Sequence, residues 1–219
     1  MTNPESQEML RIGVVLFPGF QALDVFGPVD CINVLSNTEN ISLAMLSTTL
    51  DPVTTKPANI PKRVGQSVVP THTFATAPPL DVLLVPGGHG TRGSGPIVQA
   101  CINFIRETYP SLKYLITVCT GSGLAARAGV LDGKRATTNK AGWHEIVAMG
   151  PQVQWIPHAR WVTDGNVWTS SGVSAGIDVT LAWIEKVYGK AKAKHLSEQI
   201  EYTRHEDSNV DPFAQIYGL

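Results

Sequence analysis

The sequence predicts an α/β fold in which a parallel β-sheet is covered by helices on both faces. Three short segments, Arg11–Phe17, Asp81–Val85 and Tyr114–Val118, are apolar over nearly their whole length, as the strands of a buried parallel sheet are. Helical patterns lie between the predicted strands, and this alternation is typical of the α/β class. The 219 residues are 43% hydrophobic and 16% charged, which is enough apolar material for a core. We therefore expect one domain over residues 1–219, since a single α/β domain often reaches this length.

The remaining strands are predicted from short apolar or β-branched runs between turn residues. They are Ile41–Thr49, a short edge strand at Val68–Thr73, Arg135–Thr138, Val153–Trp155 and Arg160–Ser170. A hairpin turn is predicted at Thr163–Asn166, because Asp-Gly tolerates the positive φ that such a turn requires. Asp51–Gly65 is rich in proline, threonine and lysine and is predicted to be a loop.

Proline, glycine and amphipathic spacing mark the helices. Gly27 and Pro28 predict the start of the first helix, because proline at an early helical position loses little from its missing N–H. The predicted helices are Gly27–Leu35, one starting at Gly95 and Pro96, one from the turn after Cys119 to Ala128, Trp143–Met149, one through Ile177 and Tyr188 that Gly189 ends, and a final helix at Lys190–Tyr202. Residues 1–10 are expected to be flexible, and residues 205–219 to form a polar C-terminal tail.

Charge and composition exclude several classes of partner. A formal net charge of −1 gives no general field that would attract nucleic acid or an anionic membrane. No apolar run approaches the roughly 20 residues of a membrane span, and Met1–Glu8 lacks the apolar segment of a signal peptide. Three cysteines, an odd number, do not suggest a disulfide framework, and no Cys/His spacing suits zinc. We expect a cytoplasmic protein without a nucleic-acid partner, a membrane partner or a metal.

Cys119 is the strongest candidate for a catalytic residue. It ends the apolar strand Tyr114–Val118 and precedes the small residues of a turn that enters a helix. A cysteine at such a corner points out of the sheet toward the free N–H groups of the helix, which stabilise the nucleophilic thiolate. The alternative is a buried structural cysteine. Cys101 belongs to a core-facing apolar stripe and Cys31 lies in the first helix, so both are expected to be inert.

Ligands of open α/β sheets bind at the carboxyl ends of the strands, where this chain has three turns of interest: Phe17–Asp24, Pro86–Gly90 and Cys119–Gly123. Five motifs run along the chain in a fixed order: Val15–Asp24 with Gly27 and Pro28, Leu84–Gly88, Val118–Gly121, Leu131–Thr138 and Gly172–Asp178. In order and spacing together they resemble the ThiJ/PfpI superfamily. The resemblance implies a flavodoxin-like parallel sheet sandwiched between helices and a nucleophile-elbow cysteine at position 119. It also implies no cofactor, a small-molecule substrate and a homodimer paired through the first-helix region.

The acid of the first turn is similar to that of one branch of this superfamily, the isocyanide hydratases. Many members carry glutamate there, whereas this chain has Asp24, followed by Gly27 and Pro28. The resemblance implies that Cys119 attacks the isocyanide carbon, that Asp24 supplies a proton or orients water, and that water releases an N-formamide. An aspartate beside a thiol shares a proton with it, because two negative charges repel each other. The alternative role for Asp24 is to stabilise the start of the first helix.

The backbone N–H groups of Gly88 and Thr120 are the expected oxyanion donors by the same resemblance. Glycine at 87 and 88 lets the turn approach a ligand, although Pro-Gly-Gly alone is also a common tight turn. The hydroxyl of Thr120 is a candidate to bind substrate or Asp24. His89 follows the glycine pair, and either lines the mouth of the pocket or lies exposed on the loop.

Asn139 departs from the pattern of hydrolase-like and glyoxalase-like relatives, which place a histidine after the Ala-Thr-Thr strand. Asparagine is not a base, so a Cys/His triad is not expected, and the asparagine amide is a candidate substrate-binding group. His144 is the nearest histidine downstream and is expected to be a helix-face residue. Four functions stay open: isocyanide hydration, methylglyoxal conversion, biosynthesis of a specialised metabolite, and a non-enzymatic redox sensor or holdase that uses Cys119.

Overall fold

A parallel sheet forms the centre of the structure, a computed structural model that describes residues 8–219. Residues 1–10 were expected to be flexible. Of these, residues 1–7 lie outside the described part of the chain, and Leu10 begins the first strand. The strands in chain order are β1 (Leu10–Val15), β2 (Ile41–Ser47), β3 (Val53–Thr54), β4 (Ser67–Val68), β5 (His72–Thr73), β6 (Val82–Val85), β7 (Tyr114–Thr117), β8 (Arg135–Ala136), β9 (Gln154–Trp155), β10 (Trp161–Asp164) and β11 (Val167–Ser170).

The main sheet has the strand order β10-β11-β7-β6-β1-β2-β5. All neighbours are parallel except β10 and β11, which form the antiparallel hairpin predicted from its Asp-Gly turn. The central strands β1, β6 and β7 are almost completely buried, which explains their apolar sequences. Because β6 lies between β1 and β7, the turns that follow these three strands meet at one edge of the sheet. The predicted α/β class and parallel sheet are confirmed.

Helices cover both faces of the sheet. They are α1 (Ala22–Leu35), α2 (Pro96–Thr108), α3 (Gly121–Arg127), α4 (Trp143–Val147), α5 (Ala175–Tyr188), α6 (Lys190–Gln199) and α7 (Pro212–Ile216). α1 leads from β1 to β2, and α2 leads from β6 to β7 in the opposite direction along the sheet, so right-handed crossovers place them on opposite faces. α1, α5 and α6 pack on one another, as do α2 and α3. No helix within residues 8–219 is both long and apolar enough to cross a bilayer.

The first helix begins five residues earlier than predicted, at Ala22 instead of Gly27. Pro28 consequently lies inside α1, and the rule for proline at a helix start does not apply to it. Gly27 has a packing function: a Cβ there would lie 2.7 Å from Cγ1 of Ile177 on α5. The earlier start matters for the site, because it places Asp24 in the first turn of α1.

The predicted edge strand Val68–Thr73 is divided in two. Ser67–Val68 pairs with β3 in a separate two-stranded sheet, and β3 itself lies inside the segment Asp51–Gly65 that was predicted to be a loop. Pro70 follows, and His72–Thr73 joins the main sheet beside β2. A proline has no N–H for a strand ladder, which accounts for the interruption.

The predicted polar C-terminal tail, residues 205–219, contains a short helix that was not predicted. The helix predicted at Lys190–Tyr202 ends at Gln199, and the tail contains α7, which Asp211 caps by accepting a hydrogen bond from the Phe213 N–H at 3.0 Å. Asp211 and Ala214 are buried. Asp178 of α5 anchors the tail, because its Oδ1 accepts hydrogen bonds from the Tyr202 hydroxyl and the His205 N–H. The tail is therefore part of the packed structure.

Candidate active site

The turns after β1, β6 and β7 bring Asp24, Gly87 and Cys119 together. The turn after β6 is tied to the first turn of α1 by two hydrogen bonds. The Gly87 N–H donates to Oδ2 of Asp24 at 2.9 Å, and the Gly87 carbonyl accepts from the Gln21 N–H at 2.8 Å. The strand order therefore places the carboxyl of Asp24 and the thiol of Cys119 at one edge of the sheet.

Cys119 has a φ of 57°, one of the few positive values at non-glycine residues within the described chain. Its backbone is held on both sides: the N–H donates to the Ser171 carbonyl at 3.1 Å, and the carbonyl accepts from the hydroxyls of Ser122 and Thr138. Left-handed backbone at a residue with a Cβ is strained and persists only where the surroundings fix it. This conformation is the sharp strand-to-helix turn of a nucleophile elbow.

The Cys119 thiol is 5% exposed and has polar neighbours. The N–H groups of Thr120 and Val173 and the side-chain amide of Asn139 all hydrogen-bond the sulfur and lower its pKa. Burial and the nearby carboxylate form of Asp24 act in the opposite direction and are larger, so the pKa of the thiol is raised. Burial thus opposes the thiolate stabilisation that was expected from the helix start, and that expectation stays a prediction.

Asp24 is completely buried. Burial raises its pKa to about 7, against the smaller lowering effects of the Gly87 N–H and the Cys119 thiol. Its Oδ1 has no hydrogen-bond partner among the described residues. Below neutral pH both groups are protonated, and one proton remains on the pair well above it.

Gly87 is required by the close approach of three chain segments. A Cβ at this position would lie 2.5 Å from the Thr120 nitrogen and 2.9 Å from Oδ2 of Asp24. Real Cβ atoms do not approach backbone this closely, so glycine lets the acid and the elbow share one space.

Gly88 and Thr120 differ from the prediction. The Gly88 N–H, expected to be a free oxyanion donor, donates to the Thr120 hydroxyl at 2.9 Å. The Thr120 hydroxyl, expected to reach substrate or Asp24, is instead hydrogen-bonded to Gly88 and to the hydroxyl of Thr91 at 3.0 Å. The donors that face the sulfur are the N–H groups of Thr120, which was predicted, and of Val173, which was not.

The orientation of Asn139 is fixed by its neighbours. Its Oδ1 accepts the Gly142 N–H at 2.8 Å, which leaves the amide NH₂ to face the thiol. The NH₂ also packs against Gly172, where a Cβ would lie 2.6 Å from Nδ2. The loop is held by the buried ammonium of Lys140, which donates to Thr137 Oγ1, Thr138 O and Ala159 O, and lies 3.7 Å from Asp211 Oδ2.

Of the two histidines that the sequence placed near the site, His89 lines the cavity and His144 does not. His89 lines the cavity above Cys119, in agreement with one of its two predicted alternatives. Burial and the neighbouring Arg92 and Arg63 lower its pKa. His144 is exposed on α4 and does not line this cavity.

The cavity above the sulfur measures about 270 Å³, a volume suited to a small molecule. It is lined by Gln21, Arg63, Gly88, His89, Arg92, Cys119, Thr120, Asn139, Ala141 and Val173. Three of these residues, Arg63, Arg92 and Val173, were not predicted from the sequence. Arginines in loops give no local signal, and the φ of 42° at β-branched Val173 is an exception that propensities argue against. Within residues 8–219, no three His, Cys, Asp or Glu side chains converge in a metal-binding cluster.

The chain is similar to known proteins over most of its length. The sequence profile of the DJ-1/PfpI family matches residues 10–186. Isonitrile hydratase of Pseudomonas putida is 38% identical over 196 residues, which cover 88% of this chain and 78% of that protein. The HTH-type transcriptional regulator GbdR of Pseudomonas aeruginosa is 29% identical over 160 residues, which cover 70% of this chain and 42% of the regulator.

A solved structure shows the same architecture. The crystal structure of a ThiJ/PfpI family protein from Pseudomonas syringae aligns with a TM-score of 0.73 and 29% identity, covering 90% of this chain and 76% of that one. The match confirms the flavodoxin-like fold and the resemblance seen in the motifs. On the family profile and the similarity over most of its length, the chain belongs to the DJ-1/PfpI (ThiJ) family.

Proposed function

We propose that the chain is a cofactor-free, cysteine-dependent hydratase that converts an isocyanide to an N-formamide. The observation that carries the proposal is the completely buried Asp24 carboxyl beside the Cys119 thiol, where burial raises the pKa of Asp24 to about 7. The similarity to isonitrile hydratase supports the same chemistry. A nucleophile and a proton donor within one small cavity are the groups that hydration of a terminal carbon requires.

In the first step, the Cys119 sulfur bonds to the isocyanide carbon and a proton is added to the same carbon. The product is a thioimidate, R–N=CH–S–Cys119. The proton comes from the thiol–carboxyl pair, and Asp24 is its direct donor. The thiolate forms only as the carbon accepts the sulfur, so a raised pKa in the free protein is compatible with attack.

In the second step, water adds to the thioimidate carbon while its nitrogen takes a proton, giving R–NH–CH(OH)–S–Cys119. The C–S bond then breaks, R–NH–CHO leaves, and the thiol and carboxyl regain their starting protons. The sum is one isocyanide plus one water to one formamide. The N–H groups of Thr120 and Val173 and the amide of Asn139 stabilise charge on the sulfur as it leaves.

The other enzymatic candidate is less well supported. Methylglyoxal conversion needs a base that moves a proton between adjacent carbons, and Asn139 is not a base. His144 lies outside the cavity, and His89 lies at its mouth.

We also propose a homodimer paired through α1. Leu23 and Phe26 are 41% and 40% exposed on this helix, beside a surface cleft that Ile177 and Ile200 also line. Apolar side chains grouped in this way are typical of an interface. Sedimentation velocity of the native chain and of Phe26→Glu tests the pairing, with dissociation expected for the variant.

The proposed function is tested by measuring formamide from an aryl isocyanide with the native protein and three variants. We expect turnover by the native protein, a loss of at least 10³-fold in Cys119→Ala and Asp24→Asn, and near-native turnover in Cys101→Ala, a control at a buried thiol away from the cavity. Turnover that survives Cys119→Ala contradicts the proposal.

A further inference from the structure

The mouth of the cavity above Cys119 carries more positive than negative charge. Two guanidinium groups, of Arg63 and Arg92, line it. Nε of Arg92 lies 2.7 Å from the carboxylate of Glu145. The Glu145 side chain is 46% exposed and approaches the guanidinium from the solvent side. Asp24 lies below the cavity, completely buried beside the thiol. The mouth therefore has two fixed cations against one carboxylate.

Arg63 has no acidic partner in the described part of the chain. Its Nη2 donates to Oε1 of Gln21 at 3.2 Å, and none of the ion pairs within residues 8–219 includes it. Gln21 itself precedes α1 and lines the same cavity. A neutral amide thus holds this guanidinium at the cavity and leaves its charge unbalanced.

Arg92 points its other nitrogens inward. Nη1 lies 3.4 Å from the Gly88 carbonyl, and Nη2 lies 3.0 Å from the place a Cβ of Gly142 would occupy. Gly142 donates its N–H to Asn139, whose amide faces the thiol. The guanidinium of Arg92 is thereby attached to the same wall as the reacting sulfur, while Glu145 fixes its outer edge.

We propose that the substrate carries a carboxylate close to its reacting carbon, and that Arg63 and Arg92 bind this carboxylate at the mouth of the cavity. Guanidinium groups bind carboxylates through paired N–H donors, which fixes orientation as well as position. With its carboxylate bound at the mouth, a small substrate would extend its reacting end into the cavity of about 270 Å³, toward Cys119. The identity of the reacting group rests on the proposed function, whereas the anion subsite is tested separately.

The first experiment compares isocyanoacetate with its methyl ester, which presents the same carbon without the charge. For the native protein we expect kcat/KM to be at least tenfold higher for the acid. Arg63→Gln should remove this preference, chiefly through a higher KM for the acid, with a smaller loss for the ester. Arg135→Gln is the matched control, because Arg135 is exposed and does not line the cavity. An ester used as well as the acid, or equal losses for both substrates in Arg63→Gln, overturns the inference.

The second experiment requires no turnover. Binding of N-formylglycine and of N-formylglycine amide to Cys119→Ser is measured by calorimetry at low and high salt. We expect the acid to bind more tightly, with an advantage that salt weakens and Arg63→Gln abolishes. If neither isocyanide is converted but this advantage is present, the proposed function fails and the anion subsite stands. Equal binding of acid and amide overturns the subsite whatever the catalytic result.

Discussion

Cys119 and Asp24 are buried side by side, and each changes the pKa of the other. The carboxylate form of Asp24 raises the pKa of the thiol, and the thiol opposes part of the rise that burial causes at Asp24. Two negative charges in this space are strongly unfavourable, so a proton is retained. The Cys119–Asp24 pair therefore retains a proton, and addition to a carbon requires one.

Asp24→Asn should separate activity from stability. The pKa of Asp24 is about 7 when folded and 3.8 for the free side chain. The neutral carboxyl therefore contributes its full stability below pH about 4, and that contribution is lost as pH rises through 7. Removing the titration should make the variant more stable than the native protein above pH 7, by up to about 4 kcal/mol, while catalysis is lost. Urea unfolding at pH 5 and pH 8 measures the difference, and an advantage that does not grow between them contradicts the assigned pKa.

Asn139 should act on the thiol through its NH₂ group. Asn139→Asp preserves the acceptor for the Gly142 N–H but replaces the donor to the sulfur with a charged oxygen. We expect the pKa of Cys119 to rise further and kcat/KM to fall at least tenfold more than in Asn139→Ala. The pH dependence of iodoacetamide alkylation gives the thiol pKa. A faster reaction in Asn139→Asp than in Asn139→Ala would show that the amide does not bind the sulfur.

Gly87→Ala should damage the site through close contact alone. The new methyl group meets the Thr120 nitrogen and the Asp24 carboxyl, so we expect a loss of about 1–3 kcal/mol in the free energy of unfolding and a large loss of activity. Gly95→Ala is the control, because a Cβ there meets nothing within 4 Å. Thermal unfolding and the formamide assay on both variants provide the comparison, and similar behaviour of the two would contradict the packing argument.

The contributions of Lys140 and Asp211 to the free energy of unfolding should be coupled. Lys140→Met leaves the Asp211 carboxylate buried without its cation, at an expected loss of about 3–5 kcal/mol in stability. Asp211→Asn keeps an acceptor for the Phe213 N–H, so the double variant should regain part of that loss. A double-mutant cycle by denaturant unfolding measures the coupling energy. Additive losses would mean that the C-terminal tail is not held to the Asn139 loop by this pair.

The central strands β1, β6 and β7, the elbow and the edge of the sheet that carries the site follow from the sequence alone, whereas β3 and the division of the predicted edge strand do not. Apolar runs ending in Pro18, Pro86 and Cys119 mark the carboxyl ends of β1, β6 and β7, and a parallel sheet brings such ends together. The assignment of Asp24 depended on family resemblance, because nothing local distinguishes it from an acid that stabilises a helix start.

Other parts of the site depend on contacts between distant segments. The pKa of Cys119 is set by burial, which outweighs the N–H groups that the sequence suggested would lower it. The Gly88 N–H is occupied by a hydroxyl from a residue 32 positions away. The tail looked polar, yet Asp211 is buried against Lys140, a long-range pairing that composition does not reveal.

The central claim is that the sulfur of Cys119 bonds to the substrate carbon before water does. Rapid quenching of the native protein with ¹³C-labelled isocyanoacetate, followed by peptide mass spectrometry, measures this directly. The account predicts an adduct with the mass of one intact isocyanide on the Cys119 peptide, formed and lost as formamide appears. Formamide produced with no adduct on Cys119, or with the label on Cys31 or Cys101, would contradict it.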